Sequence, residues 1–177
     1  MSDQDVTEPT DAIPQANGGI DPNDMPQIAT IAQYIKDMSV ENPSAPAVFQ
    51  WQAQPQIDVQ FNILVNRVNE EVHEAVLKIN LKATSDQGTH FVVELAYAGL
   101  FGLRNVPDEA LPPFLLIEAP RMLFPFARQI VAEQVQNLGF PPVLLDPIDF
   151  AQAYMAQADA LQETGASQGD TGLPEQA

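Results

Sequence analysis

The sequence predicts an α+β fold, in which a four-stranded antiparallel sheet carries one long and one short helix on one face. In three segments of the first half of the chain, apolar and polar residues alternate with a period of two. After Gly102 the apolar positions step by three and four instead. Strands that precede the helices, instead of alternating with them, are typical of α+β proteins and not of parallel βαβ units.

The strands are predicted from this alternation. Residues 57–65 show it most clearly, which predicts a strand with one buried face, and residues 77–82 and 91–97 repeat it. Because the connections are short, these three strands should form an antiparallel meander. A weaker strand at residues 31–40 precedes them. Its proline-rich connection at 42–46 is too long and stiff for a tight hairpin, so we expect this strand to cross to another edge of the sheet.

The helices follow the strands. Residues 119–138 predict a long helix that stops before Gly139 and, at about 1.5 Å per residue, spans the sheet. Residues 108–117 predict a shorter helical piece broken by two prolines. Asp149 is predicted to be the N-cap of a last helix that carries Tyr154 on its apolar stripe.

The charge distribution predicts one folded domain, residues 31–162, between two disordered acidic tails, residues 1–30 and 163–177. The formal net charge is -17, and all seven basic residues lie between positions 36 and 128. A chain of this charge repels a phosphate backbone, so we expect no nucleic-acid partner.

The composition also limits the compartment. Without cysteine there can be no disulfide framework and no thiolate metal site. The first residues have no basic region followed by an apolar run, so no secretory signal is predicted. No apolar stretch approaches the roughly 20 residues that span a bilayer. We therefore expect a cytoplasmic protein that does not insert into membranes.

The side chains offer no catalytic set. His73 and His90 are too few for a metal site and are predicted to be structural. Glu70, Glu71 and Glu74 are predicted to be solvated acids and not an acid–base pair. There is no glycine-rich phosphate loop and no nucleophile elbow. We expect a protein that is not an enzyme, uses no cofactor and acts by binding energy alone.

Three segments resemble the SecB family of export chaperones. Residues 41–49 (ENPSAPAVF) resemble its E-x-P-x-A-P-x-V-F crossover loop, and residues 123–128 (LFPFAR) its LFP-aromatic-AR helix start. Residues 140–150 resemble its F-P-x-x-x-L-x-P-x-x-F linker. The segments follow the family's order and spacing across residues 31–162.

The resemblance implies an ATP-independent chaperone that keeps export-bound precursor proteins unfolded and passes them to the SecA motor. It also implies a homotetramer, a dimer of dimers, with the long helices packed between two sheets. The composition agrees, because both helices and residues 114–117 keep more apolar surface than a monomer of this size readily hides.

The resemblance further assigns residues to surfaces. SecA docking falls on an acidic patch of the open sheet face, here Asp37, Glu41, Val92 and Glu94. The groove for unfolded proteins falls on apolar residues that are equally compatible with plain core: Phe49, Trp51, Ile57, Val59, Phe61, Tyr154 and Met155. For the oligomer interface we expect Val93, Leu95, Tyr97, Phe126 and Ile130.

Two other functions fit the composition. One is an acidic, oligomeric adaptor that recognises a single folded partner and ignores unfolded chains. The other is a small enzyme or ligand-binding protein with an apolar pocket under the helices, which would need a convergent polar set that the sequence does not offer. Both would make the three matching segments a coincidence.

Overall fold

The computed structural model describes residues 25–156, which form one antiparallel sheet covered on one face by helices. The strands are β1 (Gln27–Glu41), β2 (Gln56–Arg67), β3 (Val72–Ser85) and β4 (Gly88–Arg104). Their order across the sheet is β1-β4-β3-β2. The predicted meander is confirmed, and so is the crossover of the first strand to the far edge, where it pairs with β4.

The boundary of the predicted N-terminal tail is corrected. β1 begins at Gln27, so the last four residues of the segment 1–30 belong to the sheet, paired with the end of β4. Residues 1–24 of that tail, residues 157–162 of the predicted domain and the predicted tail 163–177 lie outside the described residues.

The connection between β3 and β4 is a tight turn at Asp86 and Gln87. It is followed by Gly88, whose φ of +138° is a backbone conformation that residues with a side chain rarely adopt. A Cβ at this position would also lie 3.2 Å from the ring of Trp51 in the crossover loop. Glycine therefore serves both the turn and the packing of the loop.

The helical region is one continuous path. A 3₁₀ turn (Asp108–Ala110), a single α turn (α1, Leu111–Pro113) and a π turn (Phe114–Glu118) lead directly into the long helix α2 (Ala119–Asn137). The predicted break at the two prolines is therefore wrong. They lie in the first turn of α1, the part of an α-helix where proline is tolerated best.

One side of α2 packs over β3 and β4. Its residues Leu123, Ala127, Val131 and Val135 are fully buried in the same core as the sheet residues Leu77, Ile79, Leu81, Val93 and Leu95. The helix ends as predicted at Gly139, which has a φ of +89° and donates its N–H to the carbonyl of Gln136 at 2.9 Å.

Residues 150–156 are helical. The Oδ1 atom of Asp149 accepts a hydrogen bond from the backbone N–H of Gln152 at 3.0 Å, which confirms the predicted N-cap. Phe150 at the start of this helix is buried against Phe124 of α2, with ring centroids 6.0 Å apart. The predicted α+β class, with the helices on one face, is confirmed.

Candidate functional site

The edge strand β2 carries an apolar face that the chain itself leaves partly open. Ile57, Phe61 and Val65 are 45%, 38% and 37% exposed, although the alternation of residues 57–65 predicted a buried face. The cause is the position of α2, which lies mainly over β3 and β4 and covers the edge strand only in part. An exposed apolar strip of this kind indicates a binding surface.

A depression lies between this strip and the helices. Phe61 and Ile63 of β2 form one wall, and Leu116 of the π turn with Ala153 and Tyr154 of the last helix form the other. The Phe61 ring meets Phe124 of α2 edge to face, with centroids 6.3 Å apart. The strand, the π turn and the last helix therefore build one shallow apolar groove.

A second group of aromatic residues continues the same flank at the crossover loop. Phe140 lies at its centre, with ring centroids 5.6 Å from Phe49 and 4.9 Å from Phe91. The edge of Trp51 meets the buried ring of His90 at 4.9 Å, and His90 Nε2 lies 2.9 Å from Ser85 Oγ. His90 therefore serves as a packing residue for the loop, as predicted.

The residues predicted for the groove fall into these two parts. Phe49 and Trp51 lie in the loop cluster, while Phe61 and Tyr154 line the depression. Val59 is half-buried, and Met155 is 63% exposed on the last helix. Ile57 stands opposite Ala83, which itself stands opposite Phe91, so β2 connects the two parts.

The opposite face of the sheet carries the four residues predicted for docking. In the pairing of β1 with β4, Glu41 stands opposite Val92, and the next two pairs on that face are Ser39 with Glu94 and Asp37 with Ala96. Alternation along both strands places all four residues on the face away from α2. The three carboxylates of this acidic patch are exposed, and Lys36 and Lys78 line one depression together with Asp37 and Glu94.

The same face holds a buried carboxylate that the sequence analysis missed. Glu74 of β3 was predicted to be solvated but is only 6% exposed. It accepts hydrogen bonds from the Tyr34 hydroxyl at 2.5 Å, from Lys36 Nζ at 2.6 Å and from Asn66 Nδ2 at 2.8 Å. Tyr34 and Lys36 reach it across β4, where Ala96 and Ala98 leave room.

These contacts shift the pKa values of both acids in the network. The hydrogen bond from Lys36, followed by that from Tyr34, lowers the pKa of Glu74 to about 2. The hydrogen bond to Glu74 and burial raise the pKa of Tyr34 to about 12. Glu74 is therefore ionised over the whole physiological range.

His73, the neighbour of Glu74, points to the other face and packs in the core. It is 8% exposed, and its Nδ1 has no hydrogen-bond partner among the described residues. Burial, followed by the charge of Arg67, lowers the pKa of His73 below its usual 6.5, so the ring is neutral at pH 7. No three acidic or histidine side chains in residues 25–156 are placed to hold a metal ion.

The residues predicted for the oligomer interface are partly corrected. Val93 and Leu95 are 1% and 2% exposed, and Tyr97 is 8% exposed, because α2 covers them within the same chain. They are therefore core residues and offer no surface to a second copy. Phe126 of α2 is 50% exposed, although its ring stacks on that of Tyr97 with centroids 6.5 Å apart, and Ile130 is partly exposed.

Comparison with known proteins decides the family. Residues 21–161 match the family model described as preprotein translocase subunit SecB. The chain belongs to the SecB family. A protein-export protein SecB of Sphingopyxis alaskensis is 52% identical over 92% of each chain. Its counterpart in Rhizorhabdus wittichii is 54% identical over 87% of this chain and 92% of its own. The predicted family is confirmed.

The SecB fold is also found among solved structures. A SecB-like chaperone of Mycobacterium tuberculosis, solved in complex with an antitoxin peptide, superposes with a TM-score of 0.57. The match covers 68% of this chain and 90% of the other at 16% identity, so it shows the shared fold alone. Members of the SecB family are export chaperones and not enzymes, which confirms the predicted class of function.

Within residues 25–156, every helix is too short or too polar to cross a bilayer.

Proposed function

We propose that this SecB-family chain holds unfolded precursor proteins in the cytoplasm, without nucleotide, and delivers them to SecA. The observation that carries the holding role is the open apolar face of β2, which runs from the aromatic residues of the crossover loop to Tyr154 of the last helix. An extended chain with apolar side chains at varied spacing fits such a strip without any sequence code.

The binding free energy that one groove can supply is small, which favours an assembly with several grooves. An apolar side chain that is fully buried contributes about 1.5–3 kcal/mol, while binding costs several kcal/mol in lost freedom, and more for a disordered chain. One short groove would therefore hold a precursor weakly. In a homotetramer, a dimer of dimers, a precursor spans several grooves and gains affinity by effective concentration. The exposed Phe126 and the partly exposed Ile130 on α2 support this assembly.

Delivery to SecA is assigned to the acidic patch of Asp37, Glu41, Val92 and Glu94. It lies on the sheet face opposite the groove side, so one subunit can hold a precursor and face SecA at once. Charges of one sign on an exposed face attract a cationic partner and speed its association.

Native mass spectrometry tests the holding role. The full chain is mixed, without nucleotide, with an export precursor kept unfolded, and in parallel with the same precursor after folding. We expect a mass of four subunits that takes up the unfolded form alone. Uptake of the folded form alone, or of neither form, would refute the proposal and favour the adaptor that recognises a folded partner.

A further inference from the structure

The network around Glu74 has a consequence for the acidic patch, because it controls where Lys36 points. In the pairing of β1 with β4, the register shifts between Ile35 and Asp37, so Lys36 is the additional residue of a β-bulge. The bulge turns Lys36 to the same open face as its neighbour Asp37, and both side chains line one depression there. A cation thus sits beside an acid of the patch.

Glu74 draws that cation away. The Lys36 ammonium lies 2.6 Å from Glu74 Oε2, and the Glu74 side chain is 9% exposed. Tyr34 and Asn66 hold the same carboxylate and fix its position. Within residues 25–156, Asp37 takes part in none of the three ion pairs and has no basic partner within 4.0 Å.

We infer that Glu74 is a positioning residue for docking: by holding Lys36 across β4, it keeps the charge of Asp37 uncompensated for a cationic surface of SecA. The inference rests on the proposed docking role of the patch. The positioning role accounts for a carboxylate that is buried on the open face of β3, where a well-packed apolar residue would serve folding as well or better.

A double-substitution cycle tests this inference. Binding of SecA to the full-length chaperone is measured by calorimetry at low and high salt for Glu74→Gln, Lys36→Gln and the double variant. Glu74→Gln releases Lys36 to pair with Asp37, so we expect the affinity to fall about two- to fivefold at low salt, as for one exposed ion pair. At high salt the difference should shrink.

The double variant separates positioning from simple structural support. Removing Lys36 as well removes the cation that Glu74→Gln releases, while Lys78, the other lysine of this depression, is the same in every variant. The double variant should therefore regain the wild-type affinity, and Lys36→Gln alone should keep it. A double variant as weak as Glu74→Gln would overturn the inference, since lost sheet structure cannot be rescued by deleting a second network member. A crystal structure of Glu74→Gln should place Lys36 Nζ within about 4 Å of the Asp37 carboxylate.

Asp37→Asn distinguishes a failure of this inference from a failure of the proposed docking role. If Asp37→Asn weakens SecA binding while Glu74→Gln does not, the positioning role is refuted and the patch stands. If Asp37→Asn and Glu94→Lys both leave SecA binding unchanged, the patch is not the docking site and the inference falls with it. Uptake of unfolded precursor should be unaffected in every variant, which controls for folding.

Discussion

Leu123 of α2 lies directly against Gly99 of β4, with no space for a side chain between them. A Cβ at Gly99 would come within 2.8 Å of Leu123 Cδ2 and 2.7 Å of the Phe101 ring. Both neighbours are fully buried and have no room to move. Glycine at this position therefore sets how closely the long helix approaches the sheet.

Gly99→Ala should lower the free energy of unfolding by about 1–3 kcal/mol, as overpacking of a tight core does. Urea denaturation with a structural probe measures it. Gly102→Ala is the matched control, because the nearest atom to its added Cβ is 3.6 Å away, on Ile31. An equal loss of unfolding free energy in Gly99→Ala and Gly102→Ala would show that α2 does not pack closely against Gly99.

Glu74→Gln should change the pH dependence of stability. The pKa of Glu74 is lowered from 4.5 to about 2 in the folded chain, so its ionised form stabilises the fold. That stabilisation, about 3 kcal/mol, is present above the unfolded pKa and is lost as the pH falls from about 4.5 towards 2. The stability gap between the wild type and Glu74→Gln should therefore narrow over this range.

Unfolding free energies at neutral and acidic pH measure that gap. Glu70→Gln serves as the control, since Glu70 is an exposed acid in the connection between β2 and β3. Its difference from the wild type should stay within about 0.5 kcal/mol at every pH. A gap for Glu74→Gln that does not change with pH would contradict the ionised network.

Glu94→Lys should weaken SecA binding about tenfold at low salt, because it reverses one charge of the exposed patch. Folding and precursor uptake should be unchanged, since Glu94 is exposed on the face opposite the groove side. Asp86→Lys makes the same charge change at the exposed turn between β3 and β4. Calorimetric titration that finds equal SecA affinities for the two variants would remove Glu94 from the patch.

Phe61→Ala should weaken the retention of unfolded precursor by roughly 1–2 kcal/mol per groove, because it removes half-exposed apolar surface from the depression. Leu64→Ala is matched in exposure, at 40% against 38%, but lies on the other face of the same strand. It should leave retention unchanged. Competition for a fluorescent unfolded precursor measures the affinity of each variant. An equal loss of affinity in Phe61→Ala and Leu64→Ala would show that the groove does not lie at Phe61.

Phe126→Asp should dissociate the tetramer. The side chain is 50% exposed and loses only its ring contact with Tyr97 within the chain, so a charge there harms a buried interface more than the chain's own core. Native mass spectrometry should then find smaller assemblies. Phe49→Asp, on a ring that is 57% exposed in the crossover loop, should keep the tetrameric mass and lose precursor affinity instead. An intact tetramer in Phe126→Asp would exclude that face of α2 from the interface.

Local sequence patterns predicted the strands and helices better than they predicted which other elements pack over them. The alternation of residues 57–65 identified β2, but whether its apolar face is covered depends on where a helix that comes some 60 residues later lies. The same limitation explains Val93 and Leu95. Their apolar face was predicted correctly, but the pattern cannot tell an interface from the chain's own core.

The hydrogen bonds of Glu74 could not be predicted from the sequence for a different reason. They depend on the bulge at Lys36 and on a strand order that brings β1 within reach of β3 across β4. Local composition shows only an acid among polar residues, and a shift of one residue in register would send these side chains to the other face. Only the three-dimensional pairing of the strands reveals the contact.

The crossover of β1 also determines the order in which the strands join the sheet during folding. β2, β3 and β4 are joined by short turns, whereas β1 pairs with residues of β4 that lie about 50 to 80 positions away in sequence, and such distant pairing forms slowly. We expect β1 to join the sheet last. Asp37 lies on β1 and Glu94 on β4, so the acidic patch exists only in a subunit that has finished folding. A partner that recognises both residues would thereby ignore nascent or half-folded copies of the chaperone.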